Sequence, residues 1–170
     1  MQPTVYLAGK IDKNDWRHKL VPGLRVHVWD DGLIVTPDFD YSGPFFKSCD
    51  HGCNHGANAH GAIDRNDAGE SEFTQSDVVV GNMTALAAAD LVFVYINAVD
   101  CYGTLFETGY AKKMGARIVI LFAPEIPHDD FWYIAFQADA VYHEVCECRL
   151  EKILRNEVKE TGVLAGRKYA

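Results

Sequence analysis

The sequence predicts an α/β fold built on a parallel sheet, and three observations carry that prediction. Thr4–Ala8, Leu91–Ile96 and Arg117–Phe122 are continuous apolar runs, as in strands covered on both faces. They alternate with stretches of helical periodicity, the pattern of parallel strands joined by crossover helices. The run ending at Ile96 turns through Asp100 and Gly103 directly into a helix. That turn sets polar groups at the carboxyl end of the sheet, where open α/β folds place ligands.

The elements follow in order. Thr4–Ala8 ends at Gly9 and is the first strand. Asn14 can cap a short helix through Leu20, stopped by Pro22-Gly23. Leu33–Thr36 reads as the second strand, ended by Pro37. From Asp38 to about Glu70 there is neither helical nor strand periodicity, and Gly, Asn, Asp and His are abundant. A loop of that length in a compact domain is usually functional or disordered, and its aromatics (Phe39, Tyr41, Phe45, Phe46) with its His and Cys cluster favour an ordered, functional one. Ser76–Ala88 is a helix with Val79, Met83, Leu86 and Ala87 on one face. The strand Leu91–Ile96, a helix from about Thr104 to Met114 stopped by Gly115, and the strand Arg117–Phe122 come next. Asp129 or Asp130 starts a helix to about Ala138, with core packing as the plain reading of its aromatics. Ala140–Val145 is the fifth strand. Glu147–Glu160 is an amphipathic helix turning Leu150, Ile153, Leu154 and Val158 inward. The expected architecture is a flavodoxin-like, doubly wound five-stranded parallel sheet with helices on both faces. It forms one domain over 1–170, with a long active-site loop at about 38–70.

Composition narrows the function. The chain has 170 residues, 48% of them hydrophobic, and a formal charge of −8. That charge argues against a nucleic acid partner, which needs clustered Lys and Arg. It suits a small neutral substrate, or a site that stabilises developing positive charge. No apolar run approaches the roughly 20 residues a membrane span needs, and Met1-Gln2-Pro3 leads straight into a strand. The five cysteines are therefore expected to be reduced thiols in a cytoplasmic protein.

Glu107 is the first candidate for chemistry. Thr104-Leu105-Phe106-Glu107 matches a capping box, in which the glutamate only bonds back to the cap residue. Against that reading, Gly103 lets a ligand approach the backbone closely. Tyr102, Phe106 and Tyr110 surround the acid, and Asp100 adds a second carboxylate at the same strand end.

Tyr6-Leu7-Ala8-Gly9-Lys10-Ile11, Ala89-Asp90, and Gly103-Thr104-Leu105-Phe106-Glu107-Thr108-Gly109-Tyr110-Ala111 together resemble the nucleoside 2-deoxyribosyltransferase family, in order over about residues 4 to 124. The resemblance implies that Glu107 is the nucleophile, held by Tyr6 of the first-strand motif. It implies transfer of a deoxyribosyl group between nucleobases through an oxocarbenium-like transition state and a covalent glycosyl-enzyme. It also implies a homo-oligomer in which a neighbouring subunit completes the pocket, with Trp132 and Phe136 as the residues for base stacking.

The second acid, which must protonate the leaving base, is expected to be Asp100, with Asp38 as the alternative. Some relatives carry an aspartate six residues before the glutamate, where this chain has Cys101. Asn82 stands where relatives carry an acid early in the preceding helix, and it can bond a base edge without serving as an acid. Gly9 and Gly103 are expected to meet the substrate.

The stretch from Ser48 to Gly61 gathers Cys49, His51, Cys53, His55 and His60, but without the spacing of a known zinc site. Its Gly-rich backbone is expected to fold over the nucleobase, with Asp50, His51 or Asn54 on the base edge. No metal or other cofactor is expected; the expected partners are a nucleoside and a free nucleobase, not a membrane. Two other readings stay open. One is a hydrolase of N-glycosidic bonds on the same fold, acting on nucleosides or nucleotides, for which only Lys10, Arg17 and Lys19 are in range to meet a phosphate. The other is a nucleotide-binding sensor without catalysis.

Overall fold

The computed structural model describes residues 2–11, 15–25, 32–45 and 75–168. Its strands are β1 (Thr4–Ala8), β2 (Ile34–Val35), β3 (Asp40–Gly43), β4 (Leu91–Ile96), β5 (Arg117–Phe122) and β6 (Ala140–Tyr142). Its α-helices are α1 (Arg17–Leu20), α2 (Gln75–Ala88), α3 (Tyr102–Met114), α4 (Trp132–Ala135) and α5 (Glu147–Lys168). The strands form a sheet in the order β2-β3-β1-β4-β5-β6. Every pairing is parallel except that of β2 with β3. The fold is therefore α/β with a six-stranded, mostly parallel sheet, where five parallel strands were expected. The five parallel strands, in the order β3-β1-β4-β5-β6, are consistent with a flavodoxin-like arrangement.

The added strand explains the difference. Leu33–Thr36 contributes only the two-residue antiparallel edge β2, and the strand beside β1 is Asp40–Gly43. That sequence is polar apart from Tyr41, so no apolar run announces it. Tyr41 is nevertheless fully buried, and Ser42 Oγ donates to the Val5 carbonyl at 3.2 Å.

Alternation along the strands gives the sheet two faces. Tyr6 pairs in register with Val92, and Val92 with Ile118, so these side chains share one face. The Tyr6 hydroxyl reaches Glu107 on α3, which assigns that face to α3 and to α2 packed beside it. The opposite face carries Tyr95, whose ring meets Trp16 and whose hydroxyl donates to the Val145 carbonyl at 3.0 Å just before α5. Val5, Leu7, Leu91, Phe93, Ile118, Val119, Ile120 and Leu121 are fully buried. Each such aliphatic or Phe side chain contributes roughly 1.5–3 kcal/mol.

Helix α5 buries Leu150, Ile153, Leu154 and Val158 as its periodicity predicts. It also buries Glu157, which accepts hydrogen bonds from Arg117 Nη2 at 2.7 Å and from the Tyr142 hydroxyl at 2.6 Å. In α2, Leu86 is buried and Met83 packs on the core, but Val79 and Ala87 face solvent. The segment after β5 is a 3₁₀ turn, His128–Phe131, followed by the short α4. Phe131 is buried there, while Trp132, Tyr133 and Phe136 are exposed, so core packing accounts for fewer of these aromatics than expected.

Cys146 and Cys148 are joined in a disulfide, which corrects the expectation of reduced thiols for this pair. Their Cα atoms lie 5.3 Å apart, within the span a disulfide bridges. Among the described residues, no helix is long and apolar enough to cross a membrane.

Candidate active site

A cleft of about 310 Å³ opens at the carboxyl ends of β1, β3 and β4. Gly9, Lys10 and Ile11 line it from β1, Pro44 from β3, Asn82 from α2, and Asp100 to Thr104 with Glu107 from the β4–α3 connection. β1 is flanked by β3 on one side and β4 on the other, so the chain leaves it in opposite directions. Open α/β sheets bind ligands at such a reversal point.

Glu107 sits in the second turn of α3, because the helix begins at Tyr102 with Cys101 as its N-cap. The capping-box reading therefore fails: Thr104 is inside the helix, and no side chain caps it. The partner of Glu107 is Tyr6, whose hydroxyl donates to Oε1 at 2.7 Å. Glu107 makes no ion pair with the described residues. Burial pushes its pKa above the ordinary carboxylate value, while the Tyr6 hydrogen bond and the charge of Arg17 pull it back down. Tyr6 is fully buried, and burial together with the negative charge of Glu107 drives its pKa far up. The phenol thus remains a donor while the carboxylate carries the charge.

The backbone around the cleft needs its glycines. A Cβ on Gly9 would lie 2.7 Å from the Tyr95 carbonyl oxygen and 3.3 Å from Arg17 Nη2. At Gly43 it would come within 3.0 Å of the Tyr6 ring. On Gly103 a Cβ would meet none of the described residues within 4 Å.

Asp100 is arranged in the opposite way to a proton donor. Lys10 Nζ bonds both of its carboxylate oxygens at 2.6 Å, and this holds its pKa below the usual value. Asp38 lies elsewhere. It precedes β3 and so sits at the amino end of that strand, where it pairs with Arg155 of α5 at 3.2 Å. It follows a strand as expected, but β2 runs antiparallel to β3, so the carboxyl end of β2 lies at the amino ends of the parallel strands. Cys101 is a free buried thiol on the cleft wall, and burial raises its pKa.

The structure thus brings together Glu107, Tyr6, Gly9, Asn82, Gly103 and Asp100. Asp38 is removed from the cleft, and Trp132 and Phe136 are exposed outside its lining. Asp50 and His51, with the rest of the Cys- and His-rich stretch, lie outside the described residues.

Sequence reasoning missed the pair beneath Gly9. Arg17 and Asp15 are both buried and joined at 2.7 Å. Arg17 Nε donates to the Leu7 carbonyl at 2.8 Å and Nη2 to the Gly9 carbonyl at 2.6 Å. Its guanidinium is therefore occupied by the end of β1 and does not line the cleft. Lys19 is likewise turned away, paired with Glu147 at 2.7 Å. The only sequence signal was the Asp-Trp-Arg spacing just after a strand-end glycine.

The fold and cleft define an α/β protein with a half-buried, tyrosine-held carboxylate in a cleft at the carboxyl edge of its sheet. No protein-family model matches the chain, and no curated protein matches it.

Proposed function

We propose that this protein is a nucleoside 2-deoxyribosyltransferase, a pentosyltransferase of nucleoside salvage on a flavodoxin-like fold. The observation that carries the reading is the Glu107 carboxylate opening on a cleft while the Tyr6 hydroxyl holds Oε1 at 2.7 Å. A carboxylate meant only to stabilise the fold would be closed off by a cation; this one faces the space a sugar would fill.

In the first half-reaction a Glu107 oxygen bonds to the anomeric carbon as the glycosidic C–N bond breaks. The bonding pair leaves with the base, which takes up a proton. In the second, a ring nitrogen of the incoming base attacks the same carbon, loses its proton and frees the carboxylate, with net retention. The site has to stabilise positive charge on the sugar ring, and an anionic Glu107 beneath it does so. The Lys10 pair argues against Asp100 as the proton donor and leaves it as part of the cleft wall. Asn82 is placed to bond a base edge. The exposed rings of Trp132 and Phe136 suit a homo-oligomer in which they serve a neighbouring subunit's cleft. The proposed setting is cytoplasmic.

The test is incubation with thymidine or deoxyinosine and a second free base, followed by chromatography. A new deoxynucleoside is expected. Free base and sugar alone would indicate a hydrolase, and turnover of a 5′-monophosphate alone would give Lys10 a phosphate to meet. No turnover of any of these would leave a binding module.

A further inference from the structure

The buried Arg17–Asp15 pair is unexplained by packing. Both side chains are fully buried, and burying an ion pair is costly enough that apolar replacements of the same volume are often as stable. The pair also sits on the strand that carries Tyr6 and the Gly9 turn. Nε and Nη2 of Arg17 take the carbonyls of Leu7 and Gly9, while Nη1 and the Arg17 backbone N–H hold the two Asp15 oxygens at 2.7 and 2.9 Å. The guanidinium carbon lies 4.6 Å from the centre of the Trp16 ring, which closes its other side. Two of its nitrogens bond backbone carbonyls at the end of β1, so the fork cannot move without moving that end or breaking those bonds.

We infer that Arg17 is a positioning residue for Glu107: it ties down the end of β1 that forms the cleft floor and supplies fixed positive charge behind the carboxylate. This rests on the deoxyribosyltransferase reading for its catalytic meaning, but its physical content does not. A planar fork is required, since lysine cannot bond two carbonyls and a carboxylate at once in one plane. The charge matters because Glu107 is pushed toward its neutral form by burial, and Arg17 and Tyr6 oppose that. The same charge acts on Tyr6 and Tyr41, whose phenols burial keeps neutral. Among the described residues, the titratable or charged groups around Glu107 are Tyr6 from β1, Tyr41 from β3, Cys101, Lys10 and Asp100 along the cleft, and Arg17 with Asp15 behind it. Asn82, from α2, is neutral.

The test follows the Glu107 carboxyl carbon by NMR titration in the full chain, without substrate, alongside nucleobase exchange. In the double variant Asp15→Asn/Arg17→Met, which removes the pair together, the Glu107 titration is expected to move up by about half a unit to one unit. The acidic limb of the pH–rate profile should move with it. In Asp15→Asn alone, the uncompensated guanidinium is expected to move the titration down. Arg17→Lys keeps the charge and loses the fork, so the titration is expected to stay near its original position while KM rises several-fold as the Gly9 turn loosens.

Opposite shifts in the first two variants are what a merely structural role would not give. An unchanged Glu107 titration in the double variant overturns the inference. If that variant does not fold, an unchanged titration in Asp15→Asn overturns it equally. Shifts of the expected sign in a protein that turns over no nucleoside would sink the transferase reading and leave the role of Arg17 standing.

Discussion

Two glutamates among the described residues accept a tyrosine hydroxyl, and only one of them lines a cleft. Glu157, on α5, takes the Tyr142 hydroxyl at 2.6 Å and Arg117 at 2.7 Å, and is almost completely buried. Glu107, on α3, takes the Tyr6 hydroxyl at 2.7 Å, makes no ion pair with the described residues and lines a cleft. Glu157 is a tie between helix and sheet, its charge cancelled where it sits. Glu107 is held at one oxygen and balanced only through Tyr6 and the more distant Arg17. The hydroxyl alone does not separate the two carboxylates; the open space beside Glu107, and the lack of an ion pair to it among the described residues, do.

The largest expected effect tests that contrast on activity. Glu107→Gln should lower nucleobase exchange by about 10⁴-fold or more with the fold retained by circular dichroism. Because burial raises the folded-state pKa of Glu107, stability from this group is complete below the ordinary carboxylate value and falls as pH rises through the folded value. Urea melts of Glu107→Gln should therefore match the wild type in acid and exceed it slightly at pH 8.

Glu157→Ala should invert the pattern. Leaving Arg117 without its buried partner is expected to cost about 3 kcal/mol in denaturant unfolding, with exchange per folded molecule unchanged. A large loss of turnover with intact stability would erase the distinction between the two sites.

Tyr6→Phe removes a hydrogen bond to a charged group, worth about 1.5–3 kcal/mol. Exchange should fall by roughly 10- to 100-fold. Since the Tyr6 bond lowers the Glu107 pKa, the acidic limb of the pH–rate profile should move to higher pH.

Gly103→Ala and Asp100→Asn complete the series. The alanine methyl would meet none of the described residues and would project into the proposed sugar site, so it should raise KM while stabilising α3 by up to about 1 kcal/mol. Asp100→Asn should slow exchange less than about tenfold; a loss of 10²-fold or more, the range of a general acid, would restore Asp100 as the donor.

The same contrast shows what a sequence can disclose. β1, β4 and β5 were legible because strands buried on both faces must be continuous apolar runs. Glu107 stood out through its motif, and its pairing with Tyr6 through the matching first-strand motif. β3 was hidden because Asp40, Ser42 and Gly43 satisfy a strand by hydrogen bonds and close approach rather than by hydrophobicity. Asp38 was misplaced as a consequence: with β3 missed, β2 reads as a parallel strand, and its carboxyl end is set at the wrong edge of the sheet. Arg17 was read only as a cation in range of a phosphate and Asp15 was not singled out, since burial of an ion pair depends on tertiary partners that no local pattern records. The exposure of Trp132 and Phe136 was equally invisible, because composition reports aromatic area and not which side of it is covered.

The central claim is that Glu107 forms the covalent intermediate. Mixing the protein with a 2′-deoxynucleoside in the absence of an acceptor base, quenching in acid and mapping peptides by mass spectrometry tests it directly. A deoxyribosyl adduct on Glu107, lost when an acceptor base is added before the quench, is the predicted result. Active exchange with no adduct on Glu107, or with the adduct on another residue, would contradict it.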